Sequence, residues 1–176
     1  DVTRKAARAT GITGGVIAAA GVGLLAGGLG MTGAVKTCDQ DVDLCRRRFA
    51  LGLAVRSVGI SLLDAGVGLG MSALVWNSSD PRRRMIAWSA LAAVGGVGFI
   101  VGEVLLVRSA IPFNRGNTDP SGTLADWRDH WDQHHRATPA GFAASLRGLG
   151  VGLLAGAVTG LVVQRRFLGP RGARAL

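Results

Sequence analysis

Four ionisable residues stand inside long apolar runs of this chain: Arg56, Asp64, Glu103 and Arg147. Each costs about 2.5–3.5 kcal/mol at the middle of a bilayer on insertion scales, so a charge in such a run marks a pair, a pathway or a site. Counted inward at a helical rise from Trp76, Arg84 and Arg165, the residues Arg56, Glu103 and Arg147 share one depth, roughly 27–30 Å in. An Arg–Glu–Arg cluster at that level gives the only glutamate of the chain two cationic partners. The simpler reading lets both arginines snorkel to the headgroups. Asp64 comes out shallower, at about 18 Å, with no cation at its depth. It needs a hydrogen-bond partner such as Ser61 or a hydrated cavity, and small proton-coupled transporters use membrane carboxylates in this way.

A second group of chemically capable residues lies between the third and fourth apolar runs. Asp126, His130 and His134 are spaced for one helix face, with Trp127, Trp131 and His135 beside them. Two histidines and a carboxylate can hold a metal ion. On a straight helix only His130 and His134 reach the same ion, because two turns separate the ends of the set by about 12 Å. An interfacial helix over about 123–136, anchored by its tryptophans, is the plainer expectation, and no metal or other cofactor is expected. The two cysteines, Cys38 and Cys45, bracket the short connection between the first two runs, where a disulfide would staple it.

These residues must be positioned by membrane helices. Hydrophobic residues make up 48% of the chain and the mean hydropathy is +0.34, yet the formal charge is +9. The basic residues flank apolar runs instead of forming one face, which points to a bilayer surface and away from nucleic acid. Runs long enough to span lie at about 11–35, 52–76, 85–107 and 141–164, with Ile111-Pro112 closing the third and Pro139 opening the fourth. Residues 9–35 are uncharged throughout, longer than the core of a signal peptide, so the first run reads as a retained helix.

Glycine is the other signature of these runs, with 28 in the chain. Each costs roughly 1 kcal/mol against Ala in a helix, a cost that lipid-embedded helices offset by close backbone packing. Small residues four apart occur in every run: Gly23/Gly27, Gly66/Gly70, Gly98/Gly102 and Gly148/Gly152/Gly156/Gly160. The expected fold is therefore an all-α integral membrane four-helix bundle, one membrane domain over 1–176, with GxxxG helix interfaces. The segments 4–8, 80–84 and 165–174 are strongly basic and alternate, which puts both termini in the cytoplasm and residues 36–51 and 108–140 outside a plasma membrane, against the count of Arg46, Arg47 and Arg48 in the first connection.

The stretch Ile111-Pro112-Phe113-Asn114, a dozen polar residues, then Trp127, Trp131 and His134-His135-Arg136 before an apolar helix resembles the anthrone-oxygenase-like family of small four-helix membrane proteins. The resemblance covers about residues 111–150. It implies a cofactor-independent oxygenase acting on a hydrophobic aromatic substrate at the outer face, with Asn114, Trp131, His134 or His135, and Arg136 at the matching positions. The residues themselves favour a non-catalytic accessory or scaffold subunit that packs through its glycine faces, against a larger membrane complex or a second copy. A transporter built on Asp64 is the third reading.

Overall fold

The structure is a computed structural model that describes residues 2–34, 42–116 and 138–167. It is all-α. The elements are α1 (Val2–Ala34), α2 (Val42–Ala73), a 3₁₀ turn η1 (Leu74–Asn77), α3 (Pro81–Gly116) and α4 (Thr138–Phe167). Four helices are long and apolar enough to cross a membrane, with spans at Val2–Gly33, Arg47–Asn77, Pro81–Arg108 and Gly141–Arg166. Their large apolar side chains point outward, Val16, Leu74, Ile86 and Val97 each being more than 60% exposed. Water would oppose such an arrangement by about 25 cal/mol per Å² of apolar surface, whereas lipid does not. The chain has the build of a small multi-pass membrane protein.

The helices are longer than their apolar runs because a helix satisfies its own backbone on leaving the hydrocarbon as well as within it. Cys45 is accordingly not in a loop but in the second turn of α2, fully buried. Pro112 does not end α3, which continues to Gly116. A proline there removes one bond to the carbonyl four residues back, and so close to the helix end few further bonds depend on it. The entry to α3 is sharply defined. The Asp80 carboxylate accepts from the Arg82 amide at 2.8 Å and its carbonyl accepts from the Arg84 amide at 3.1 Å, with Pro81 at the first helical position.

The packing order is a row, α1 on α2, α2 on α4 and α4 on α3. Two antiparallel hairpins thus stand side by side with α2 and α4 parallel at the centre. Glycine sets the approach in all three seams. Between α1 and α2, Gly14 faces Gly66, Gly21 faces Gly59 and Gly28 faces Gly52, stepping seven residues on each helix. A Cβ added at Gly21 would lie 2.7 Å from the Gly59 carbonyl oxygen, and one at Gly28 2.6 Å from the Arg56 amide nitrogen. The α3/α4 seam repeats the device: Gly95 meets Gly150, Gly102 meets Arg147, and Trp88 fills the space over Gly160. The α2/α4 seam steps by four instead, with Gly148 on Ser61, Gly152 on Ala65 and Gly156 on Ser72 and Leu69.

Gly23 and Gly27 do not take part in these seams, since nothing lies within 4 Å of a Cβ built on either. On α1 the contact to α2 falls on Gly14, Gly21 and Gly28, about 100–160° around the helix from the nearest member of that pair. Of the pair on α2, Gly66 is in the seam, while a Cβ at Gly70 would enter open space. On α3, Gly102 is closely packed and Gly98 makes ordinary contact, 3.4 Å from the Leu146 carbonyl oxygen. A period of seven, not four, governs the antiparallel contacts.

Candidate functional site

Polar side chains that must live among apolar helices are held in three ways. The hydroxyls of Thr10 and Thr32 donate to carbonyls of their own helix, at 2.8 Å to Ala6 and 3.1 Å to Gly28. Ser61 reaches across the central seam and donates to the Ala144 carbonyl at 3.0 Å. Gln164, near the end of α4, donates through Nε2 to the Pro81 carbonyl at 2.8 Å, pinning α4 to the start of α3.

Glu103 and Arg147 form an ion pair across α3 and α4, with Arg147 Nε 2.8 Å from Glu103 Oε1. The side chains are 38% and 46% exposed, so the pair lies on the flank of the seam and not inside it. Arg56 is not a member. It is half-buried on the α1 side of α2, its backbone against Gly28, and makes no ion pair with a described residue. The three-residue cluster is corrected to a pair, for an angular reason. Residue counting along the helices gives depth, but azimuth decides which side chains of one layer meet. The α4 face turned to α2 is Gly148, Gly152 and Gly156, and Arg147 stands about 100° round from Gly148 and further from the others.

Asp64 is half-buried, and Ser61, its expected partner, donates to Ala144 instead. Asp64 has no hydrogen bond to any described residue. Trp127, His130, Trp131, His134, His135 and Arg136, together with the interfacial helix over 123–136, lie outside the described residues, as does Cys38. Asn114 falls in the last turn of α3, and its side chain is likewise outside the description. No free cysteine is found among the described residues.

A polar cluster that the sequence reading did not single out closes the end of the bundle where α1 begins, α3 begins and α4 ends. Trp76 and Trp88 meet edge to face with centroids 5.2 Å apart. Around them pack Ala6 and Ala7 of α1, Leu91 of α3, and Ala157 and Leu161 of α4. Set into this apolar knot are Arg84, 6% exposed, Gln164, 6% exposed, and Trp88, fully buried. Arg84 Nε, Trp88 Nε1 and Gln164 Oε1 have no hydrogen-bond partner. The signal was available: Arg84 and Trp88 are one turn apart on one face, and Gln164 is the last polar residue before Arg165.

The other overlooked feature is on α1. Gly11, Gly15, Ala19, Gly23 and Gly27 form a ladder of small residues four apart, and the four glycines have nothing within 4 Å of a built Cβ. The ladder winds across the outer side of α1, its middle members Ala19 and Gly23 lying about 160° around the helix from Gly21, and Gly27 about 100° from Gly28. α1 therefore carries two glycine faces, one closed by α2 and one open. No family model, curated protein or solved structure matches the chain.

Proposed function

We propose that this chain is a non-catalytic accessory or scaffold subunit of the plasma membrane, and that it docks a partner helix through the open ladder of α1. The observation that carries the reading is the second glycine face itself. Lipid tails gain nothing from a row of missing side chains, and each glycine weakens the helix by roughly 1 kcal/mol relative to Ala. A neighbouring helix does gain, because small residues four apart let two backbones approach and exchange dispersion contacts. The partner is a larger membrane complex or a second copy of the chain.

Orientation follows from charge. Arg4, Lys5, Arg8, Arg82, Arg83, Arg84, Arg165 and Arg166 gather at one end of the bundle, which the positive-inside rule assigns to the cytoplasm with both termini. Cys45 then belongs to the outer end, where an oxidising compartment allows a Cys38–Cys45 bridge. Labelling of single cysteines with an impermeant thiol reagent checks this, in a background lacking Cys38 and Cys45. Ser121→Cys is expected to label in intact cells and Ser79→Cys to stay protected; the reverse pattern overturns the orientation.

The role is tested by affinity purification in mild detergent with mass analysis of whatever stays bound. A stoichiometric membrane protein, or a defined multimer, is expected. A monomer carrying a bound aromatic compound, quinone or metal ion instead would contradict the scaffold role and favour an enzyme.

A further inference from the structure

We infer that Arg84 is the anchor of a phosphate-binding site for an anionic headgroup at the basic end of the bundle. The inference rests on the membrane reading and not on the scaffold role. Arg84 is 6% exposed and its Nε has no hydrogen-bond partner. A buried guanidinium without a counter-charge is costly, and no described residue is ion-paired with Arg84. Asp80, on the preceding turn, is committed elsewhere: one carboxylate oxygen accepts from the Arg82 amide, and the other lies 3.5 Å from Arg83 Nε. Gln164 Oε1 has lone pairs to offer Arg84 or Trp88 but carries no charge. The remaining described ionisable side chains at this end, apart from Asp80, are cationic: Arg4, Lys5, Arg8, Arg82, Arg83, Arg165 and Arg166.

The unpartnered, buried guanidinium suits an anion, and a phosphate fits it on three counts. The guanidinium offers parallel N–H donors that match phosphate oxygens. Arg84 stands in the first turn of α3, where the helix dipole favours negative charge. It also sits at the level of the headgroups, since Trp76 and Trp88 close the bundle just beneath it. Exposed arginines around the rim, Arg82, Arg83, Arg165 and Arg166, raise the local concentration of anions, while Arg84 supplies the fixed contact. The phosphodiester of an anionic phospholipid and a free phosphate share this chemistry.

The test is native mass spectrometry and thermal unfolding of the full chain in neutral detergent, with phosphatidylglycerol, phosphatidylcholine or inorganic phosphate added. Phosphatidylglycerol is expected to remain bound one to one and to raise the melting midpoint of the wild type. Arg84→Gln should lose that retention by more than about fivefold, the factor any single surface cation supplies, while Arg166→Gln loses no more than that. Arg84→Lys, which keeps the charge but not the fork, should fall between and guards against a folding defect in Arg84→Gln. An equal, Arg84-dependent shift with inorganic phosphate alone would identify a soluble phosphate as the source. Retention of phosphatidylglycerol no greater than that of phosphatidylcholine in the wild type, or equal losses in Arg84→Gln and Arg166→Gln, would overturn the site.

Discussion

The α1/α2 seam and the α2/α4 seam are both built on glycine, yet they differ in direction and in period. The first is antiparallel and steps by seven; the second is parallel and steps by four. A repeat of seven keeps a contact stripe facing its partner through a left-handed crossing, whereas small residues four apart favour a right-handed one. The chain uses the first to close the α1/α2 hairpin and the second to join the hairpins. In the hairpin seam a new Cβ meets backbone, as at Gly28 with the Arg56 amide 2.6 Å away. In the central seam Gly156 meets the hydroxyl and the Cβ of Ser72; the hydroxyl can rotate away, but the Cβ is held by the α2 backbone.

The largest effect should come from the hairpin seam. Gly59→Leu drives an isobutyl group into the Leu25 amide and the Gly21 carbonyl, at 2.5 and 2.9 Å for the Cβ alone, and should cost more than about 3 kcal/mol. Unfolding in detergent reads this directly. An unaltered midpoint would remove α1 from its place on α2.

In the central seam Gly152→Ala presses on the backbone of Ala65 and Gly156→Ala on the Cβ of Ser72, which the α2 backbone holds, so each should cost about 1–3 kcal/mol. A Gly156→Ala midpoint equal to that of the wild type would mean that α2 shifts to make room at Ser72.

Glu103→Ala should cost about 1 kcal/mol or less, because the pair with Arg147 is well exposed and leaves Arg147 free to snorkel. Glu103→Gln should be milder still. A loss as large as the roughly 3–5 kcal/mol of a broken buried pair would point to a second cation and restore Arg56 to the cluster.

How much of this was legible in the sequence depends on the residue. The four helices were, because apolar runs of about 20 residues have few alternatives in lipid. The ladder Gly148/Gly152/Gly156/Gly160 was visible as a spacing. Its two partners, α2 and Trp88 of α3, were not, since spacing alone names no neighbour. Gly21, Gly28 and Gly59 are harder to read, because a spacing of four is the cue for close helix packing and the α1/α2 seam repeats at seven. Arg56 was put with Glu103 and Arg147 by depth alone. Arg84 passed for one of three flanking arginines because burial is a tertiary property that a charge run conceals.

The proposed role requires two glycine faces on α1, one for folding and one for a partner. The most direct measurement compares Gly21→Leu/Gly28→Leu with Gly23→Leu/Gly27→Leu, reading detergent unfolding and partner co-purification for each. The first pair should collapse the unfolding midpoint. The second should leave it unchanged or slightly raised, since Leu is the better helix former, while abolishing association. Retained association in Gly23→Leu/Gly27→Leu, or a midpoint that falls as far as in the first pair, would contradict that role.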